Sequence, residues 1–500
     1  MASTTQADLR YTFEQYAGWI QQPLTKPSTA EQWVQRLAIN EAEIQHFLQL
    51  PLSKAQPYQA RPAQIKDAQG TVARAQFSLP AIAPEPEQAL QRARDLNPDL
   101  YLFTALAQTA TNGQAGYLHN LPIAVKDMTA VAGFAVTAGS ASGDVEPVTQ
   151  DALSVARLRA KGAVVIGMAN QHEMAFGASS NNPRYGRVIN PASPEHIPGG
   201  SSGGSAAIVA ADVCRVTLGT DTGGSIRLPA ACCGVVGFKP TYDSVPRDGS
   251  IDVAPSLDHL GPIAKYVQDC ALVYAGLLDL PQEPDWAVDS LDGIRVGRLG
   301  GYFAEPLESQ VLQALDQACL GLEKDKASVQ DILLPEAHMA AALQFMIITS
   351  EATASYTDRL QEKPEQISEE IRIRLEIGHF LPAPWYLRAQ KLRTEFNARI
   401  EALFDQVDIL ICPTMRCPAP KVGATEVQIG HKTYPLHTAV TQLTMPFSLS
   451  GSPAISIPWG VAQDGAPIGL QLIARQGDDW RLLAVAQRLE AAWHALFGKN

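Results

Sequence analysis

Five hundred residues carrying 39 Lys and Arg against 51 Asp and Glu have a net charge of −12, an acidic surface that argues against nucleic acid or an anionic membrane as the main partner. The length allows one to three domains, and no stretch reaches the roughly 20 uninterrupted apolar residues that a membrane span needs. Seven scattered cysteines, with Cys232-Cys233 and Cys412 to Cys417 lacking a matching CxxC or His set, read as reduced buried thiols rather than disulfides or a zinc site.

Met1 to Arg10 shows no basic segment followed by an apolar one, so the expected location is the cytoplasm. Residues 11 to 50 place Trp33, Leu37, Ile44, Phe47 and Leu48 at helical spacing and are broken by Pro23 and Pro27, which predicts two or three short amphipathic helices. Prolines at 51, 57, 62, 80, 84 and 86 then make 51–86 an extended tether. From Glu87 onward helices and strands alternate: Glu87 to Leu96 helical, Leu121 to Lys126 a buried strand, Ala152 to Lys161 a helix, Ala163 to Met168 a strand. That alternation predicts an α/β fold with a mostly parallel sheet over 87–500. Lys126 then stands at a carboxyl edge, where such sheets build their sites. Further on, Leu307 to Leu322, Ala340 to Leu360 and Ile367 to Leu375 read as helices. The first is expected to cover the sheet and the others to line a substrate entrance, with further pocket residues near Phe447. Asp408 to Cys412, Pro453 to Pro458 and Leu470 to Ile473 read as strands, and Asp479 to Phe497 as a closing amphipathic helix.

The segment Pro198-Gly-Gly-Ser-Ser-Gly-Gly-Ser205 holds four glycines and three serines, so it cannot be a stable helix or strand interior. It can bring backbone N–H groups and hydroxyls close to another molecule. Ser205 to Asp212 is rich in Ala and predicts a helix at its end, where negative charge is favoured. A Walker loop is excluded because Ser205 stands where its Lys should be, and no G-x-G-x-x-G is present. Gly199-Gly-Ser201-Ser-Gly203 matches G-x-S-x-G, but Asn190 to Pro198 is a proline-broken loop, not the strand that a nucleophile elbow requires.

Lys126 at the end of an apolar strand, the Gly-Gly-Ser-Ser-Gly-Gly loop, and Thr220-Asp-Thr-Gly-Gly-Ser225 together resemble the amidase signature family. The resemblance runs from about Glu85 onward and includes Asn170-Gln-His-Glu173, Asn190-Pro191, Gly219 to Ala230, Gly237-Phe-Lys-Pro-Thr241, Ser256-Leu-Asp258 with Gly261-Pro262, Pro413-Thr414 and Pro467 to Gln471. It implies a large mixed, mostly parallel β-sheet covered by helices on both faces, with the helical N-terminal part as an extension. That extension reads either as a helical hairpin that covers apolar surface or, by a fainter resemblance, as the small partner subunit that braces some members, fused in front.

An acyl-transfer hydrolase needs a nucleophile, a base and oxyanion donors. Of the ten histidines only His172 and His196 lie in these motifs, and neither is expected to carry the partners of a Ser-His-Asp system. Lys126, buried at a strand end, is disfavoured in its charged form and can act as base, as in known Ser-Lys variants of the triad. By resemblance, Ser225 is the nucleophile, Ser201 the proton relay to Lys126, and the Gly200–Ser201 peptide is cis. The N–H groups of Thr222, Gly223, Gly224 and Ser225 form the oxyanion hole. Ser202 supports the loop; Asp221 and Arg227 are expected to form a buried ion pair, with recognition of a substrate carboxylate by Arg227 left open. Asn170 and Glu173 read as structural.

No metal or cofactor is implied, and the expected partner is a small amide, with a homodimer compatible. Where the family commonly has Asn or a similar polar residue, this chain has Met128 and Ser448, which points to a less polar amide such as an anilide, an aryl carbamate or a fatty amide. The readings in play are a serine amidohydrolase, the ammonia-donating subunit of a tRNA-dependent amidotransferase, and a non-catalytic binding module. The last is disfavoured by the three intact catalytic residues.

Overall fold

The computed structural model describes residues 41–59, 84–304 and 306–497; the helices expected before residue 41 and the tether over 60–83 lie outside these. Eleven strands form one sheet: β1 (Phe103–Leu106), β2 (Pro122–Lys126), β3 (Val164–Ala169), β4 (Val216–Asp221), β5 (Val236–Lys239), β6 (His259–Ala264), β7 (Arg295–Leu299), β8 (Ser328–Ile332), β9 (Ile409–Pro413), and, after a separate hairpin of β10 (Glu426–Ile429) and β11 (Lys432–Pro435), β12 (Ala454–Val461) and β13 (Pro467–Ala474). Their order is β1-β3-β2-β4-β6-β5-β12-β13-β9-β7-β8.

Strands β2, β3, β4, β9, β12 and β13 are buried almost throughout, as their near-continuous apolar runs require of strands covered on both faces. Alternation along them sorts their residues into two layers. Ile123, Val125, Ile409, Ile411, Leu470 and Leu472 face a layer with helices Val267–Leu277, Ser309–Lys324 and Asp479–Phe497. On the opposite face Ala124, Val164 and Ile166 meet helix Gly203–Ala210, and Leu410, Cys412 and Ile473 meet helices Ala340–Ser355 and Ala383–Leu403.

The mixed sheet is as expected, but its strands are not mostly parallel. Parallel pairing is confined to β2–β3, β2–β4, β7–β8 and β7–β9, and the six pairings β1–β3, β4–β6, β5–β6, β5–β12, β12–β13 and β9–β13 are antiparallel. Parallel neighbours need a crossover of a dozen or more residues, whereas antiparallel ones can be joined by a turn, as β12 and β13 are through Ala462 to Ala466. The helix–strand alternation that was legible over 87–168 does not extend to the sheet's centre. Strand β8, unpredicted, lies at the sheet edge and is mostly exposed, so it lacks an apolar run. Strands β1, β4, β5, β6 and β7, the β10–β11 hairpin and the helices Val267–Leu277 and Ala383–Leu403 were not expected either. The elements that were expected match with shifted ends, the helix from Ser205 beginning at Gly203 and the one over 340–360 being two helices, Ala340–Ser355 and Thr357–Glu362.

All seven cysteines are free and buried. Among the described residues no helix is long and apolar enough to cross a membrane.

The described part of the N-terminal extension is docked on the body formed by the remaining residues. Helix Glu41–Gln49 buries Ile44 and Phe47; the Phe47 ring lies 6.2 Å from Trp385 and 4.9 Å from the Arg388 guanidinium. Residues 51–59 then run along helix Ala383–Leu403, with Tyr58 N donating to Gln390 O at 3.0 Å and Thr394 Oγ1 to Gln56 O at 2.8 Å. Phe47→Ala is therefore expected to destabilise the fold by about 3–5 kcal/mol, the usual cost of deleting a buried phenylalanine. Urea unfolding of the full chain measures it, and an unchanged midpoint would show that the helix is not part of the cooperative core.

Candidate active site

Strand β2 carries Lys126 at its carboxyl end, and its parallel neighbour β4 ends at Asp221, one residue after Thr220. Lys126 is 1% exposed. Its Nζ lies 2.7 Å from Ser201 Oγ and 2.8 Å from Thr220 Oγ1. Burial lowers its pKa to about 7, against the upward pull of Asp258 and Asp221, so near neutrality much of it is an amine with a free lone pair. Thr220 Oγ1 in turn donates to Met128 Sδ at 3.3 Å. With that hydroxyl proton committed to sulfur, Thr220 accepts from Lys126, and the amine lone pair is left for Ser201.

Ser201 and Ser202 precede helix Gly203–Ala210, and the Gly200–Ser201 peptide is cis. Ser202 Oγ donates to Thr220 O at 3.1 Å and accepts from Thr220 N at 3.3 Å, while Ser202 N donates to Ser225 O at 3.3 Å. These bonds tie the serine-rich loop to the turn that follows β4. In that turn Gly223 and Ser225 are half-buried, whereas Asp221, Ile226 and Arg227 are fully buried. Gly224 has φ 136°, and a Cβ there would come within 2.4 Å of Thr444 Oγ1, so only glycine fits.

The turn is shaped by a buried ion pair, as the sequence leads one to expect. Asp221 and Arg227 have side chains with 0% exposure and meet through two parallel bonds of 3.0 Å. Burial alone would raise the Asp221 pKa, but Arg227 outweighs it and holds the carboxyl well below its usual range. Arg227 also donates to Thr444 O, Gln471 Oε1 and Ser448 Oγ. Its guanidinium has neither room nor a free donor for a substrate carboxylate, which removes that option.

A family model described as Amidase matches residues 88–483. The chain belongs to the amidase family. It is 36% identical over 423 residues to a glutamyl-tRNA(Gln) amidotransferase subunit of Geotalea daltonii, covering 77% of this chain and 86% of the relative. It is also 36% identical over 371 residues to the AtzE subunit of 1-carboxybiuret hydrolase from Pseudomonas sp. (strain ADP), covering 71% and 80%. A solved structure of a vestigial protein complex bearing on the origins of an s-triazine catabolic enzyme superposes with TM-score 0.75 at 33% identity, over 81% of this chain and 94% of that one.

Within this amidase, several expectations need correction. The Gly224 amide donates to Asp221 Oδ1 at 2.8 Å, so it shapes the turn instead of facing an oxyanion. The amides of Thr222, Gly223 and Ser225 have no hydrogen-bond partner among the described residues. Ser448 is fully buried beside Arg227, and Met128 is 1% exposed behind Thr220. Neither departure trims a substrate contact, and the inference to a less polar amide loses its basis. Phe447 is core, stacked on Phe303 at 5.7 Å. His196 does have partners: Ser193 Oγ lies 2.7 Å from Nδ1 and Asp464 Oδ2 3.1 Å from Nε2. They close the Ser193–His196 turn onto the β12–β13 connection and bond to none of the residues above. His172 is buried, and burial lowers its pKa to about 4, so it remains neutral.

Four residues escaped sequence reasoning. Thr220 lies inside the quoted motif, yet its bond to Lys126 spans 94 residues and exists only because β4 pairs with β2. Asp258 accepts Thr222 Oγ1 at 2.6 Å, Gln344 Nε2 donates to Thr222 O at 3.0 Å, and Thr444 Oγ1 donates to Gly223 O at 2.6 Å. Gln344 lies in the stretch expected to line the entrance. Asn170 and Glu173 are structural, bonding to Tyr101 O and to Ser140 Oγ respectively.

Two outcomes follow. A base must be deprotonated to accept a proton, so with Lys126, whose pKa is near 7, in that role kcat/KM should rise with pH to a plateau, with a midpoint near 7. Asp258, itself pushed up to about 7 by burial, pulls the lysine upward only while ionised, so Asp258→Asn should move that midpoint only slightly to lower pH. A flat profile from pH 5 to 9 would rule out Lys126 as the base. Arg227→Met leaves Asp221 unpaired in the interior and should cost about 3–5 kcal/mol in chemical denaturation; a loss below about 1 kcal/mol would mean that the pair is solvated.

Proposed function

We propose that the chain is a serine amidohydrolase that cleaves the C–N bond of a carboxamide, anilide or carbamate through an acyl-enzyme, with Ser225, Ser201 and Lys126 as its triad. The observation that carries this reading is the 2.7 Å bond between Ser201 Oγ and a buried Lys126 whose pKa is near 7. Neutral Lys126 takes the Ser201 proton as Ser201 takes that of Ser225. Ser225 Oγ bonds to the carbonyl carbon, and the negative charge passes to the carbonyl oxygen, facing the amides of Thr222, Gly223 and Ser225. The proton then returns through Ser201 to the substrate nitrogen, and the C–N bond breaks as the carbonyl re-forms. Water repeats the sequence on the acyl-enzyme, giving the acid and restoring Ser225. Ser202 and the Asp221–Arg227 pair hold these groups in register. The setting fits the cytoplasm, given seven free buried thiols.

A second reading, the ammonia-donating subunit of a tRNA-dependent amidotransferase that works only beside partner proteins, is favoured by the 36% identity to a relative of that name. Against it stands the extension ahead of the family match, which docks part of this chain on its own catalytic body.

The test is turnover of p-nitroanilides, aryl carbamates, aliphatic amides and glutamine by the purified chain alone. Hydrolysis of at least one should fall by about a thousandfold or more in Ser225→Ala and by about 10²- to 10⁴-fold in Lys126→Ala. Silence across the panel, with glutamine turned over only after cell extract is added, would replace the first reading with the second.

A further inference from the structure

Arg393, on helix Ala383–Leu403, is one of the largest fully buried side chains of the protein. Its Nε donates to Leu449 O at 2.7 Å, Nη1 to Ser256 Oγ at 3.0 Å and Nη2 to Ser256 O at 2.9 Å. One guanidinium therefore fastens two segments distant in sequence. Each of these segments holds the catalytic turn from its own side. Two residues after Ser256, Asp258 accepts the Thr222 hydroxyl at 2.6 Å. Leu449 belongs to helix Met445–Ser450, where Ser448 Oγ accepts from Arg227 at 2.8 Å; just before it, Thr444 donates to Gly223 O at 2.6 Å.

The flat face of the Arg393 guanidinium is covered by one ring. Tyr58 of the N-terminal extension stacks on it, with Cζ 3.9 Å from the ring centroid, and the Tyr58 amide is pinned to Gln390 O one turn away. A ring there contributes a cation–π attraction and keeps water from competing for the Ser256 and Leu449 carbonyls, which strengthens both bonds. We propose that the N-terminal extension is a positioning element for the nucleophile turn, acting through Tyr58 on Arg393 and from there through Ser256–Asp258 and Leu449–Thr444 on Thr222 and Gly223. The inference rests on the reading of Ser225 as nucleophile. It assigns to a segment outside the family match a role in keeping the oxyanion amides in place.

The experiment uses the full chain and its Tyr58→Ala, Tyr58→Phe, Arg393→Lys and Tyr58→Ala/Arg393→Lys variants. It reads the rate at which an aryl fluorophosphonate phosphonylates Ser225 with loss of fluoride, the thermal midpoint, and hydrogen exchange of the peptide spanning 219–228. Tyr58→Ala should slow phosphonylation by about three- to thirtyfold, the span of cation–π contacts from exposed to desolvated. It should also speed exchange in 219–228 while leaving β12 and β13 protected. Tyr58→Phe, which keeps the ring, should restore both, and Tyr58→Ala should add little in the Arg393→Lys background. Wild-type exchange over 219–228 in Tyr58→Ala would overturn the proposal whatever the activity. So would a loss of phosphonylation that merely follows the fraction unfolded. Absence of Ser225 labelling in the wild-type chain, with exchange responding as expected, would instead overturn the nucleophile assignment and leave the coupling standing.

Discussion

Everything at this site depends on keeping one lysine away from water. An exposed lysine near neutral pH is almost wholly protonated and has no lone pair with which to accept the proton of a serine. Enclosed at the end of β2, Lys126 loses hydration that two nearby carboxylates only partly replace, and the amine becomes the favoured form. That requirement explains the surroundings. Met128 lies behind Thr220, Ser201 is wholly buried, and among the described residues the one polar atom besides Ser201 that meets Nζ is a hydroxyl whose own proton is directed to sulfur. In the proposed reaction such a base needs no imidazole: the His196 ring is bonded to Ser193 and Asp464, and the buried His172 stays neutral.

The second constraint is that the turn carrying Ser225 must be rigid although it contains Gly223 and Gly224. Rigidity comes from charge. The Asp221 carboxylate is shared among the Gly224 and Ile226 amides and the Arg227 fork, so a single ion pair fixes the path of the chain on both sides of Ser225. An isolated buried pair is a poor source of stability, because desolvation offsets much of its attraction. Its value here is geometric: it decides which amides turn inward and which remain free. Arg393 repeats the device one layer further out, with a guanidinium instead of apolar packing holding carbonyls from separate segments.

Part of the candidate site was legible in the chain. Residue type and local position singled out Lys126 at the end of an apolar strand and the Asp221–Arg227 pair, whereas the roles proposed for Ser201 and Ser225 came from the resemblance of their glycine- and serine-rich motifs to a known family, not from spacing. Also legible were β2, β3 and the helices beside them, whose apolar runs and periodicity are strong. Strand β8, polar and at the edge, offered no such run, and the antiparallel centre of the sheet could not be inferred from alternation at one end.

What the sequence by itself determined is therefore the family and the set of residues for which a role is proposed. The tertiary structure alone decided how those residues are employed: that Gly224 faces Asp221, that Ser448 and Met128 lie behind the site, that Thr220 orients the lysine, and that Tyr58 reaches Arg393. Each of these depends on contacts across tens to hundreds of residues or on the direction of a single N–H. Spacing along a chain does not encode direction, which is set only when strands have paired and buried donors have had to find acceptors.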